Sequence, residues 1–104
     1  MVADMITSKQ RAWLRREGHV LEPIFRIGKE GVTDAVLKAL EEALEKRELI
    51  KIKILETALL DTKETCGEVA DKLGAEPVQA IGSIFIIYRK AHEEKHRRIE
   101  LPKK

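Results

Sequence analysis

Ile27-Gly28-Lys29-Glu30-Gly31-Val32-Thr33-Asp34-Ala35-Val36 joins the end of one apolar run to the start of an amphipathic one. Upstream, Ile24-Phe25-Arg26-Ile27 has the composition of a short strand. Downstream, Val32, Val36, Ala39, Leu40, Ala43 and Leu44 fall on one helical stripe, so a helix is expected from Val32 to Lys46. Asp34 near its start and Lys46-Arg47 at its end suit the helix dipole. The order is therefore strand, glycine turn, helix. Glycine lets a backbone approach a ligand closely. The start of the following helix offers unpaired N–H groups and a positive dipole end to an anion. Lys29 adds a mobile cation. This set suits a phosphate of a nucleic-acid backbone, and the competing reading is an ordinary tight turn.

Beyond that helix, Leu49 to Leu55 alternates Ile50, Ile52 and Ile54 with Lys51 and Lys53, the period of a half-buried strand. A strand–helix–strand unit places its two strands parallel. A third helix is expected from Asp61 or Thr62 to Leu73, with Val69, Ala70 and Leu73 facing inward and Gly74 as its stop. Pro77 to Ile81 and Ile84 to Tyr88 flank Gly82-Ser83, which reads as a hairpin with a type II′ turn. Toward the N-terminus, Pro23 cannot donate to a central ladder, so the first strand begins at or after it. Thr7-Ser8-Lys9-Gln10 is a capping box. It opens a helix expected to reach Glu17, with Gly18 as its stop and Trp13 and Leu14 as buried anchors. The sum is an α+β domain of order α-β-α-β-α-β-β, with a mixed four-stranded sheet and three helices. Its core is expected over residues 7–89, with 90–104 as a basic tail whose end is mobile.

A chain of 104 residues, 43% of them hydrophobic, can build one core but no large enclosed cleft. Only 4% are aromatic, so stacking on rings is not its main grip. Residues 1–31 carry six Lys/Arg and four Asp/Glu, residues 32–88 seven and eleven, and residues 89–104 seven and three. Both ends are thus basic around an acidic middle, and a fold that joins the ends makes one basic face, the footprint of a nucleic-acid binder. A single cysteine, Cys66, excludes an intramolecular disulfide and fits a reducing cytosol. No apolar run approaches the roughly 18 residues of a membrane span, and Met1–Ser8 lacks the pattern of a secretory signal. A cytoplasmic location is expected.

Lys9, Arg11, Arg15 and Arg16 cluster on the first helix, where residues 11 and 15 share a face. His19 and Arg26 lie near the glycine loop in sequence. Spaced cations of this kind can track phosphates. His92-Glu93-Glu94-Lys95-His96 matches HExxH literally, but a catalytic zinc needs a third protein ligand, and only Glu100 follows as an obvious candidate. The segment has no apolar stripe to hold it in an interior. Cys66 has no partner in sequence that would make it a thiolate. Asp61, Glu64, Glu68 and Asp71 read as an exposed helix face. No catalytic residue, metal site or cofactor is expected, and the chain is read as a binder rather than an enzyme.

Thr7-Ser8-Lys9-Gln10-Arg11, the helix ending near Gly18-His19, and above all Ile27 to Val36 resemble the CRM domain, in its stand-alone prokaryotic form. The name stands for chloroplast RNA splicing and ribosome maturation. The Gly82 hairpin, Tyr88-Arg89 and Arg98-Ile99-Glu100-Leu101-Pro102 fit as well. The resemblance implies a fold similar to the C-terminal domain of translation initiation factor three, with a loop like the GxxG loop of KH domains. It implies association with precursor large ribosomal subunits in prokaryotes and with group II intron RNA in plant organelles. The family often has glycine where Glu30 stands, so a carboxylate here opposes a purely electrostatic grip. The expected function is binding of ribosomal RNA by a monomer during large-subunit assembly. The expected contacts are Gly28, Lys29, Glu30, Gly31, Lys9, Arg11, Arg15, His19 and Arg26. The alternative is a protein-interaction module that uses the acidic middle.

Overall fold

The computed structural model describes residues 6–103. The Thr7 hydroxyl accepts the Gln10 N–H at 3.1 Å while Gln10 Oε1 accepts the Thr7 N–H at 3.0 Å, the reciprocal box expected there. It opens helix α1 (Ser8–His19), which passes through the expected stop at Gly18 and is capped at Val20. Gly18 is buried in the helix, and a Cβ on it would lie 2.9 Å from Ile86 Cδ1. This glycine permits close approach of helix to sheet; it does not supply a left-handed turn. Lys51 Nζ takes over the closing of the helix, donating to His19 O at 3.2 Å and Leu21 O at 3.0 Å.

Strand β1 (Phe25–Ile27) starts two residues after Pro23. Helix α2 (Asp34–Arg47) begins later than its apolar stripe suggests, because Thr33 is the cap: its hydroxyl accepts the Val36 N–H at 3.2 Å. Glu48, at φ 66°, turns the chain directly into β2 (Leu49–Ile54). Asp61 caps α3 (Thr62–Leu73), and Gly74 ends it at φ 64°. The hairpin β3 (Glu76–Ile81) and β4 (Ile84–Tyr88) turns at Gly82, whose φ of 61° with no left-handed Ser83 suits a type II′ turn.

The four strands lie in the order β1-β2-β4-β3, with β1 parallel to β2 and the remaining pairs antiparallel. Pro77 is tolerated because β3 is an edge, and a bulge between Pro77 and Gln79 bends it. On one face Ile50, Ile52, Phe85 and Ile87 pack against Leu40 and Leu44 of α2 and Val69 and Ala70 of α3. On the other, Leu49, Val78, Ile86 and Tyr88 pack against Leu14 of α1, with Trp13, Ile99 and Leu101 half-buried beside them.

Those last two contacts lie in the segment expected as a basic tail over 90–104, and they pack it onto the domain. Ala91 is buried, and the Glu48 carboxylate, fully buried, accepts the N–H groups of Ala91 at 2.7 Å, Arg98 at 2.6 Å and Ile99 at 2.8 Å. Gln10 Nε2 donates to Pro102 O at 2.9 Å. The segment after Tyr88 is strapped to α1 and α2. Among the described residues, no helix is long and apolar enough to cross a membrane.

Candidate nucleic-acid interface

Ile27 lies opposite Ile54 in the parallel pair, and Lys53 lies opposite Ile84 in the antiparallel one. One end of the sheet therefore carries three connections: residues 28–31, residues 55–61 and the Gly82-Ser83 turn. They are tied together, since Leu55 N–H donates to Ile27 O at 2.9 Å, Ile54 N–H to Ser83 O at 2.7 Å, and Thr62 Oγ1 to Gly82 O at 2.6 Å.

Within the first connection, Gly31 N–H donates to Gly28 O at 2.9 Å, which closes a four-residue turn. Gly31 sits at φ 75°, so its glycine is required by the backbone. Gly28 is different. It is not left-handed, and a Cβ on it would meet only Leu55 Cδ1, at the ordinary contact distance of 3.9 Å. Neither conformation nor packing demands glycine there. Lys29 and Glu30 form the exposed tip, and their N–H groups have no protein acceptor among the described residues. The start of α2 is less open to an anion than the sequence suggests. Thr33 caps it and Asp34 places a carboxylate in its first turn. The turn amides and Lys29 remain as the donors.

Arg26 lies between the inward-packed Phe25 and Ile27, so it faces the side of the sheet away from α2 and α3. In register beside it is Lys53. Neither makes an ion pair among the described residues. Like charges side by side on neighbouring strands repel, and a bound anion offsets that cost. Sequence reasoning singled out Arg26 but passed over Lys53, although the Ile50-Lys51-Ile52-Lys53-Ile54 alternation already placed it off the core face.

The α1 cations divide. Arg11 donates to Pro77 O at 3.2 Å and pairs with Glu76 at 3.4 Å. Glu76 stands at the Tyr88 end of the sheet. The six residues of β2 separate that end from the glycine loop by about 17 Å. The structure does not bring Arg11, or Lys9 beside it, to the loop. Arg15, Arg16 and His19 are exposed further along α1, toward β2. Trp13 is half-buried core rather than a free stacking platform.

The HExxH residues are not on an α-helix: Glu94–His96 is a short 3-10 turn. The group that completes a cluster with Glu93 and His96 is Glu45 of α2, not Glu100. Only the tertiary fold brings Glu45 there. Its carboxylate accepts the N–H groups of His92 at 2.8 Å and Glu93 at 3.0 Å, and lies 2.8 Å from His96 Nδ1. The His96 hydrogen bond first, then the two backbone N–H groups, hold the Glu45 pKa down at about 2. These bonds fasten the C-terminal segment. Burial pushes the Cys66 thiol up to about 11, which disfavours the nucleophilic thiolate. Asp61 caps α3, and Glu68 pairs with Lys72 on its exposed side.

Residues 6–89 match the model of the CRS1/YhbY (CRM) domain. The Bacillus subtilis protein named "Probable RNA-binding protein YqeI" is 40% identical over 98 residues, covering 94% of this chain and 100% of that one. An "RNA-binding protein" of Haemophilus influenzae is 36% identical over 100 residues, 95% of this chain and 97% of its own. The solution structure of a hypothetical Staphylococcus aureus protein, described as a candidate RNA binder, superposes with a TM-score of 0.73 at 37% identity. That match covers 94% of this chain and 100% of the other. By sequence over most of its length, and by fold, this chain belongs to the CRS1/YhbY (CRM) domain family.

Proposed function

We propose that this chain is a non-catalytic RNA-binding protein, that its target is ribosomal RNA in assembling large subunits, and that the Gly28–Gly31 turn is the principal contact. One observation carries the siting. Gly28 is a glycine that the fold does not require, at an exposed turn whose neighbouring amides have no protein acceptor. A glycine beside unused donors suits a site approached closely by a phosphate. The names of the relatives, several of them RNA-binding proteins, support the choice of ligand.

In this reading the Lys29 and Glu30 amides and the Lys29 ammonium hold one phosphate. Arg26 and Lys53 hold another along the sheet, Arg15 and Arg16 extend the cationic surface, and His19 adds a hydrogen-bonding ring beside them. Lys9 and Arg11 contribute from the far end of α1, where Arg11 also fixes the helix to β3. Glu30 works against the grip, so direct hydrogen bonds count for more than net loop charge. The protein acts as a cytoplasmic monomer, one domain that includes the strapped C-terminal segment.

Fluorescence anisotropy with a ribosomal RNA fragment, repeated across a salt series, tests this. Each phosphate contact contributes roughly 0.7–0.9 to the slope of log affinity against log salt. Lys29→Ala should lower that slope by about one contact and weaken binding alike for different sequences. Unchanged affinity and slope would remove the loop from the interface. Capture of a protein partner that survives nuclease treatment, without any RNA affinity, would favour the acidic middle as the working surface instead.

A further inference from the structure

The connector from α1 to β1 has an unusual surface. Val20, Leu21 and Ile24 are 79%, 36% and 38% exposed on it. Leu21 and Ile24 line an open cleft of about 670 Å³, bounded also by the start of β2, the end of α2 and Arg98-Ile99 of the C-terminal segment. Its lining combines the aliphatic Leu21, Ile24, Leu49, Ile50 and Ile99 with the cations Lys46, Arg47 and Arg98. Glu17 and Glu22 also line the cleft, and with Lys51 the cations outnumber the acids four to two. Arg98 is held in place: its backbone N–H bonds to Glu48, and its Nε donates to Lys46 O at 2.6 Å. That leaves the terminal guanidinium nitrogens for a ligand.

A lining that mixes aliphatic side chains with cations suits a flat ring attached to an anion. Bases splayed from RNA stack on flat side-chain surfaces, Arg guanidinium planes among them, while their phosphates meet cations. The cleft is also continuous with the loop. The chain runs from Ile24 at the cleft through edge strand β1 to Gly28 at the turn, about 13 Å at strand rise. Exposed Arg26 lies midway. An RNA backbone held at the glycine turn and led along this edge reaches the cleft within a few nucleotides.

We infer that this cleft takes one unpaired nucleotide of the bound RNA, the base on Leu21, Ile24 and Ile99 and its phosphate between Arg47 and Arg98. The inference rests on the RNA-binding reading above. It makes the protein a reader of duplexes interrupted by a bulge or a single strand, because a continuous A-form duplex keeps its bases stacked.

The test uses the full chain and two RNAs that differ only in a single-nucleotide bulge, one of them a blunt duplex. The wild-type protein should bind the bulged RNA roughly tenfold more tightly, within the range of one docked base. Arg98→Ala and Ile24→Ser should each close that gap and leave duplex affinity within about twofold. Lys29→Ala should weaken both RNAs alike and preserve the gap. Thermal unfolding checks that the variants fold, and amide shifts of Leu21, Ile24 and Ile99 should move with the bulged RNA only. Equal affinity of the wild type for the two RNAs, or cleft variants that leave the gap intact, would overturn the inference. A persisting Lys29 effect would then leave the loop reading standing, with the cleft free for a peptide. Absence of binding to either RNA would refute the RNA-binding reading itself.

Discussion

Replacing Gly28 with alanine should separate stability from function. The backbone there is outside the left-handed region, and the added methyl meets only Leu55 Cδ1, at 3.9 Å. Nothing has to move. Alanine restricts the unfolded chain, which at a compatible site stabilises by about 0.4–1 kcal/mol. For a domain of this size that is an upward shift of roughly 2–6 °C in the unfolding midpoint. Binding should move the other way. A methyl at a position where a phosphate or sugar makes van der Waals contact displaces the ligand from the turn amides. Loss of about 1.4 kcal/mol, or tenfold in affinity, is the expected scale. Gly31→Ala is the control. At φ 75° a side chain costs roughly 1–2 kcal/mol, so stability and binding should fall together. Calorimetry or circular dichroism melts, with anisotropy on one RNA fragment, measure both quantities. Gly28→Ala with a raised midpoint and wild-type affinity would refute the claim that a ligand occupies that space. A lowered midpoint would refute the packing argument beneath it.

Overpacking in Gly18→Ala should cost about 1–3 kcal/mol, since its Cβ would lie 2.9 Å from Ile86 Cδ1 and 3.2 Å from its Cγ2, offset in part by the roughly 0.5–1 kcal/mol that alanine adds inside a helix. Ile86→Val in the same chain removes that methyl and should restore part of the loss in urea unfolding; no rescue would place the strain elsewhere. Glu45, held at about 2, adds stability above its ordinary pKa of 4.5 and loses it as pH falls toward 2. The difference in midpoint between wild type and Glu45→Gln should therefore narrow across that window, and a constant difference would rule out ionisation as the source. Glu48→Gln keeps the size of the side chain but turns an NH2 toward a backbone donor, at a cost of about 2–3 kcal/mol. Hydrogen exchange should then show the Ala91, Arg98 and Ile99 amides unprotected first, and unchanged protection would contradict the strap.

Features governed by neighbours in sequence were legible. The Thr7 box, the period-two alternation of β2, the Gly74 stop and the Gly82 turn each depend on a few adjacent residues, and each formed as read. Gly18 shows where that stops. A glycine that ends a helix and one that lets a helix touch a sheet are the same letter, and only Ile86, on a distant strand, distinguishes them. Val32 belongs to the apolar stripe yet stays outside α2, because the hydroxyl of Thr33 stops the helix there. The C-terminal strap was hidden for a related reason. Its bonds run from backbone N–H groups to the carboxylates of Glu45 and Glu48, and no hydrophobic periodicity announces such bonds.

The same strap changes what the charge pattern means. A count of basic residues at the two ends suggested one basic face, but a cation shapes the surface field only if the fold has not already neutralised it. Arg89, counted with the tail, is buried and paired with Glu41 at 2.7 Å and Glu45 at 3.5 Å. Arg11 is held by Glu76. What remains without an acidic partner among the described residues includes Arg15, Arg16, Arg26, Lys29, Lys53 and Arg98. Several of these flank β1, from the glycine turn at one end to the cleft at the other. The acidic middle and the basic C-terminus are not separate surfaces, because the fold uses them on each other. Glu41, Glu45 and Glu48 fasten the segment that begins at Arg89, and that fastening holds Arg98 in the lining of the cleft. The β1 edge, with Arg26, Lys29 and Lys53, is one surface where cations keep no acidic partner among the described residues, and the contact proposed above draws on it.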